Sequence, residues 1–278
     1  MNERSSDRLF IHKSGLSSWR QCPRKFYWMY VKRQSPEETD ESIAMEHGQT
    51  FHHVARQFTF LYDTDVLFES GVYIDRLKYM SSCIPRGLST TIYGWMQNLV
   101  DFEVRRSLSW SLDRSKFKSL MSEQYLESPE FNYAGTFDRL DWYDDTSLIV
   151  VDYKPRIYNI SQLRQEQAIY WVLITDQLKL PAPVNHWGVI AYDVGLYHTE
   201  EFKKITLTAL KKNTNALWSK IEEYETCPSK NVFPLKPGEH CDYCMFLGQC
   251  WDDPEYVELV MNEHESNEES PEIQPGDG

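Results

Sequence analysis

Asp138, Asp152 and Lys154 are the residues whose types and spacing best suit joint chemistry. They lie in Gly135–Pro155, GTFDRLDWYDDTSLIVVDYKP, where alternating apolar residues predict two strands joined at Asp144-Asp145-Thr146. Side chains alternate faces along a strand. A turn centred on Asp145 sets Trp142 opposite Leu148, Leu140 opposite Val150 and Asp138 opposite Asp152, with Lys154 next on that face. Two carboxylates and a lysine then end an otherwise apolar face. Facing carboxylates repel and raise a pKa. A divalent cation removes the conflict, and oxygen ligands with open water positions suit Mg²⁺ or Mn²⁺. A lysine beside such an ion can orient an attacking water and stabilise charge building on a phosphate. On spacing alone the two acids could equally be strand-end groups paired with Arg139 or Lys154.

A second group offers soft ligands. Cys241-x₂-Cys244-x₅-Cys250 lies in GEHCDYCMFLGQC, a segment too short for a core of its own, and it needs a fourth ligand. The opening MNERSSDRLF has no apolar leader run, which leads us to expect an intracellular, cytoplasmic chain. In that setting metal or cluster ligation outweighs a disulfide framework. Four thiolates suit either Zn²⁺ or an iron–sulfur cluster.

The elements that position these groups change period along the chain. Ser14–Val31, SGLSSWRQCPRKFYWMYV, predicts a helix interrupted near Pro23. It mixes Arg20, Arg24 and Lys25 with aromatic residues, as stacking surface and phosphate contacts would require, although Phe26 and Trp28 suit a core. Residues 34–45 read as an acidic loop. Gly48–Tyr62 carries apolar residues at helical spacing, and 64–117 is mostly helical, most clearly over Thr90–Trp110. Strands follow at Met121–Leu126, Tyr133–Tyr143 and Ser147–Tyr153, then a helix at Ser161–Leu178 capped by Ser161. Strands at Asn185–Tyr192 and Leu196–Phe202 precede a helix at Thr206–Tyr224. The pattern is that of an α/β protein. Glu123, on the strand before the hairpin, is either a further acid near a metal or an exposed residue; exposure is the expectation.

Several classes are excluded. The 278 residues, 41% apolar, are too hydrophobic for a wholly disordered chain. The longest stretch without a charged side chain is Gly87–Val100, too short and too polar to span a membrane. GxxxxGK[ST], GxGxxG, GxSxG and HExxH are absent, which excludes the commonest nucleotide-binding and hydrolase patterns. The net charge of −13 is concentrated in residues 252–278, which hold ten acids and no lysine or arginine. The remaining body is close to neutral and can carry a basic groove.

Taken in order, these motifs resemble those of the PD-(D/E)XK nucleases. Asp138 followed by Asp152-x-Lys154 is similar to motifs II and III of that superfamily. Gly48-x-x-x-His52 resembles the helix-borne histidine of its RecB-like branch, a spacing that favours His52 over His53. QLRQEQAIYWVLI resembles the glutamine–tyrosine helix of that branch. There Glu166 stands four residues before Tyr170, so Gln167 or Gln165 would take the glutamine's part. SGLSSWRQCPRKFYWMYV is similar to the branch's first helix, and the resemblance runs from Ser14 to Trp251.

The resemblance implies a restriction-endonuclease-like mixed central sheet flanked by helices, with a helical N-terminal lobe. It implies a [4Fe–4S] cluster held by Cys22, Cys241, Cys244 and Cys250, as in AddAB-type nuclease domains and CRISPR-associated exonucleases. That cluster would staple the N- and C-terminal segments, with Cys83 and Cys227 outside it. Mg²⁺ or Mn²⁺ would be held by His52, Asp138, Asp152 and the Tyr153 carbonyl, with Lys154 positioning water. Gln167, Tyr170, Arg20, Arg24 and Lys25 would contact DNA. The implied domain is 1–251, with a helical insertion at about 64–117, followed by an acidic tail at 252–278. Within the tail, Tyr256, Val257, Leu259 and Val260 would make a short helical face. The implied activity is an exonuclease acting on single-stranded DNA ends in recombination, repair or DNA processing. The rival reading is a DNA-end-binding adaptor of a recombination or CRISPR-adaptation complex, docking a protein partner through the tail. No membrane association is expected.

Overall fold

The computed structural model describes residues 10–34, 40–157, 159–254 and 257, with the backbone alone at 40–42. Five strands form one sheet in chain order: β1 (Met121–Ser128), β2 (Tyr133–Trp142), β3 (Leu148–Lys154), β4 (Val184–Ala191) and β5 (Leu196–Glu201). All neighbours are antiparallel except β3 and β4, which run parallel. The helices are α1 (Lys13–Gln21), α2 (Pro23–Phe26), α3 (Asp40–Leu61), α4 (Thr64–Glu69), α5 (Tyr73–Ser82), α6 (Thr90–Ser109), α7 (Ile160–Gln177), α8 (Lys204–Thr226) and α9 (Leu247–Trp251). This mixed sheet flanked by helices is the expected restriction-endonuclease-like architecture.

The chemistry-bearing hairpin forms as its sequence predicts. Asp144 accepts the backbone N–H of Thr146 at 2.8 Å and closes the turn. Trp142 then pairs with Leu148 and Leu140 with Val150, the register of a turn centred on Asp145. The paired residues run as far as Arg139 and Val151, one step short of Asp138 and Asp152. β3 reads LIVVDYK and is buried on both faces, as a strand with a parallel neighbour must be. Its Ile149, Val151 and Tyr153 join an apolar core with Phe51, Val54 and Phe58 of α3 and Met96, Leu99 and Val100 of α6. α7 crosses from β3 to β4 and packs over β1 to β4.

Two helix starts differ from expectation. α3 begins at Asp40 rather than Gly48. α7 is capped by Asn159, which accepts the Gln162 N–H at 3.1 Å, and not by Ser161. The expected interruption near Pro23 is present: Cys22 is extended between α1 and α2, and α2 runs into a one-turn π-helix at Tyr27–Val31.

The chain divides into two compact units, each made of two segments. One joins the residues up to Ser14 to Met45–Ala216; the other joins Gly15–Ala44 to the residues from Leu217 onward. The first contains the whole sheet. In the second, Trp19, Phe26, Tyr27 and Tyr224 gather around Phe233. Asp253 is buried in this unit and accepts the guanidinium of Arg24, so its packing extends past Trp251. The acidic tail lies outside the described residues from 258 onward, as does most of the helical face expected at Tyr256 to Val260. Among the described residues no helix is long and apolar enough to cross a membrane.

Candidate metal-dependent active site

Asp138 and Asp152 lie where β2 and β3 part, and both side chains are buried. The backbone N–H of Tyr153 donates to Asp138 Oδ2 at 2.6 Å. Asp138 Oδ1 is 3.2 Å from His52 Nδ1, which α3 supplies from above the core. His53, one residue on, turns outward to Gln57. Asp152 Oδ1 accepts Lys13 Nζ at 2.6 Å, and its Oδ2 faces Lys154 Nζ at 3.4 Å. Lys154 also reaches Glu166 Oε2 at 3.1 Å. Arg139 is not the counter-ion of Asp138. Strand alternation turns it the other way, into a buried network with Asp141 and Glu103. That removes one of the structural pairings the sequence allowed.

The electrostatics follow from crowding charge out of water. Burial pushes the Asp138 carboxyl up, and the Asp152 charge adds to the rise. Burial acts the same way on Asp152, but Lys13 and Lys154 outweigh it and hold that carboxyl well below the usual range. Burial works against a charged His52, yet Asp138 and Glu123 carry its pKa up to about 10. Lys154 is raised too, since Asp152 and Glu166 overcome its desolvation. It is thus held as an ammonium between two carboxylates.

Glu123 is the candidate the sequence places wrongly, favouring exposure over a position near a metal. Expected to be exposed, it lies instead with its Oε1 3.2 Å from His52 Nδ1. His52, Glu123 and Asp138 each offer a ligand atom, and these atoms lie within 4.8 Å of one another. β1 pairs Ser122 with Arg139 and Gln124 with Phe137, so the register sets Glu123 across from Asp138. Its backbone takes a φ of +50° between those pairs, a conformation no strand pattern signals. Lys13 is missed, since nothing in its neighbourhood of the chain marks it.

One imidazole, several carboxylates and an open cleft of about 470 Å³, lined also by Arg56, Thr136 and Tyr170, fit a hard divalent cation. The buried Asp152 Oδ2 makes no hydrogen bond among the described residues, as befits an oxygen kept for another ligand.

The expected nucleic-acid residues fall differently. Tyr170 is buried beneath Lys13, whose ammonium lies 4.6 Å from its ring centroid. Gln167 is fully buried, out of reach of a DNA strand. Gln165 accepts from Asn213, and Glu166 alone of the three holds Lys154. Arg24 is fully buried, donating to the Phe233 carbonyl and to Asp253, and Lys25 is almost as deep. Burial therefore withdraws both from phosphate contact as placed, while Arg20 keeps exposed surface.

In the other unit, Cys22, Cys241, Cys244 and Cys250 line one small pocket together with Lys25, Trp28 and His240. Burial pushes the Cys250 thiol up to about 12, and Cys22, Cys244 and Cys241 add to the rise. Cys83 packs at the edge of the apolar core of the sheet unit, and Cys227 is exposed.

The mixed sheet and its paired acids beside a lysine define a metal-dependent nuclease core. The model of the PD-(D/E)XK nuclease superfamily matches residues 13–251, and the chain belongs to that superfamily. No curated protein matches the chain. Enzymes of this superfamily use Mg²⁺ or Mn²⁺.

Proposed function

We propose that this chain is a divalent-metal-dependent DNA exonuclease of the RecB-like branch, cutting phosphodiester bonds at single-stranded ends in recombination, repair or DNA processing. The observation that carries the reading is the assembly of His52, Glu123, Asp138, Asp152 and Lys154 at one mouth of the sheet. His52, Asp138 and Asp152, with the Tyr153 carbonyl, would hold the cation, and Glu123 adds a carboxylate beside His52. A bound Mg²⁺ or Mn²⁺ supplies Lewis-acid stabilisation of charge at phosphorus and a more acidic water. Lys154, fixed between Asp152 and Glu166, positions the attacking water and donates toward the phosphate. Tyr170 forms the floor under Lys13. Arg20 is the residue of the aromatic, basic segment we assign to a phosphate.

The placement within the branch is supported by the four cysteines that share one pocket while Cys83 and Cys227 lie elsewhere. We assign them a [4Fe–4S] cluster, which would tie chain segments far apart in sequence and reduce the entropy of the unfolded state. An intact acid–acid–lysine set favours catalysis over a purely adaptor role. Digestion of 5′- and 3′-labelled single-stranded oligonucleotides with Mg²⁺, Mn²⁺ or EDTA tests the proposal. Metal-dependent shortening from an end is expected; DNA binding with no cleavage in either metal would establish the adaptor instead.

A further inference from the structure

The site holds two lysines on one carboxylate, and the superfamily's Asp-x-Lys motif accounts for only one. Lys154 is bracketed by Asp152 and Glu166. Lys13 differs in its surroundings. It is the first residue of α1 and it lines the open cleft with His52, Glu123 and Asp138, whereas Lys154 is not among the residues lining that cleft. Among the described residues its anchor is one short bond to Asp152 Oδ1, and beneath it lies the face of Tyr170. Cation–π contact of this kind stabilises an ammonium without fixing its direction.

A divalent cation bound through Asp152 Oδ2 would share one carboxylate with Lys13 on Oδ1. Two cations on one carboxylate also repel each other strongly in a partly buried site. Of the two lysines, Lys13 is the one that lines the cleft. Its ammonium would then stand free in the cleft that must receive a phosphate. We propose that Lys13 is a phosphate-contact residue that serves as the counter-ion of Asp152 until a divalent cation takes its place. This rests on the reading of the cleft as the metal-dependent active site. It gives the cleft a further cation beside Arg56 to offer the substrate only once the metal is present, which couples metal loading to DNA binding.

Calorimetric titration of Mn²⁺ into metal-free wild type, Lys13→Met and Lys13→Arg at pH 8 tests the exchange. Without its competitor, Lys13→Met should bind Mn²⁺ about three- to tenfold tighter, while Lys13→Arg stays within about twofold of wild type. Lys13→Met should also raise KM for an oligonucleotide more than it lowers kcat. A second measurement needs no variant. Labelling of wild type with an amine-reactive reagent, read by peptide mass spectrometry, should modify Lys13 at least about threefold faster with Mn²⁺ than with EDTA. A folded Lys13→Met with unchanged or weaker Mn²⁺ affinity overturns the proposal, and so does Lys13 labelling indifferent to Mn²⁺. If wild type binds Mn²⁺ and cuts DNA in those cases, the active-site reading survives. If wild type does neither, both fall together.

Discussion

The backbone N–H of Tyr153 donates to the Asp138 carboxylate at 2.6 Å, so the acid on β2 is held by the strand that carries Asp152 and Lys154. Motifs from two strands thus form one rigid unit. The peptide group between Asp152 and Tyr153 fixes the geometry of both acids, and a small slip of register would separate them.

Asp152→Ala and Lys154→Ala are each expected to lower cleavage at least about 100-fold. Thermal unfolding should remain cooperative, at a lower midpoint for Asp152→Ala, which leaves Lys13 and Lys154 without their shared carboxylate. Wild-type turnover in either purified variant would take the active site out of this hairpin.

Glu123→Gln keeps the size of the side chain and removes its charge. It should weaken Mn²⁺ binding about three- to tenfold, with a smaller effect on melting temperature. Calorimetry on the metal-free variant checks this. Unchanged affinity would mean that Glu123 only holds the His52 ring.

The buried pairing of Arg139 with Glu103 and Asp141, joined by Arg106, concerns stability rather than chemistry. Glu103→Ala leaves a buried guanidinium short of charge and should cost about 3 kcal/mol in urea unfolding. Burial opposes the charge on Glu103, but Arg106 and Arg139 outweigh it and lower its pKa from the ordinary 4.5. Asp141 is lowered from 3.8 by the same arginines against the same opposition. Depressed acids stabilise the fold above their unfolded values and lose that contribution as pH falls through the folded ones. Wild type should therefore lose stability steeply below about pH 4.5, and Glu103→Ala less steeply.

Anaerobically purified protein is expected to be brown and to carry roughly four irons per chain. Cys22→Ala, Cys241→Ala, Cys244→Ala and Cys250→Ala should each lose the iron, while Cys83→Ala and Cys227→Ala keep it. Zinc without iron or acid-labile sulfide in the metal analysis would replace the cluster with a Cys₄ zinc site.

What could be read from the sequence was whatever obeys a period. Strand alternation with a short turn is enough to pair Leu140 with Val150, and helical spacing locates most of α3 and α7. The site was legible where its residues follow those rules, as Asp138, Asp152 and Lys154 do. Glu123 was read as exposed because its place depends on the β1–β2 register and on a left-handed residue inside a strand. Lys13 escaped because only the folded chain brings it to Asp152, 139 residues away. Arg24 and Lys25 misled because a cation beside aromatic residues suggests a binding surface, whereas the Arg24 charge is met inside the fold by Asp253. Asp253 itself had been grouped with the acidic tail.

The left-handed backbone at Glu123 sets a trap for protein engineering. A residue with a β-carbon loses about 1–2 kcal/mol in that region, whereas glycine sits there without strain. A library of this protein ranked by heat resistance alone would enrich Glu123→Gly, and each hardier clone would have lost the carboxylate beside His52. Melting temperature and turnover pull in opposite directions at this position, so variants must be ranked by cleavage first.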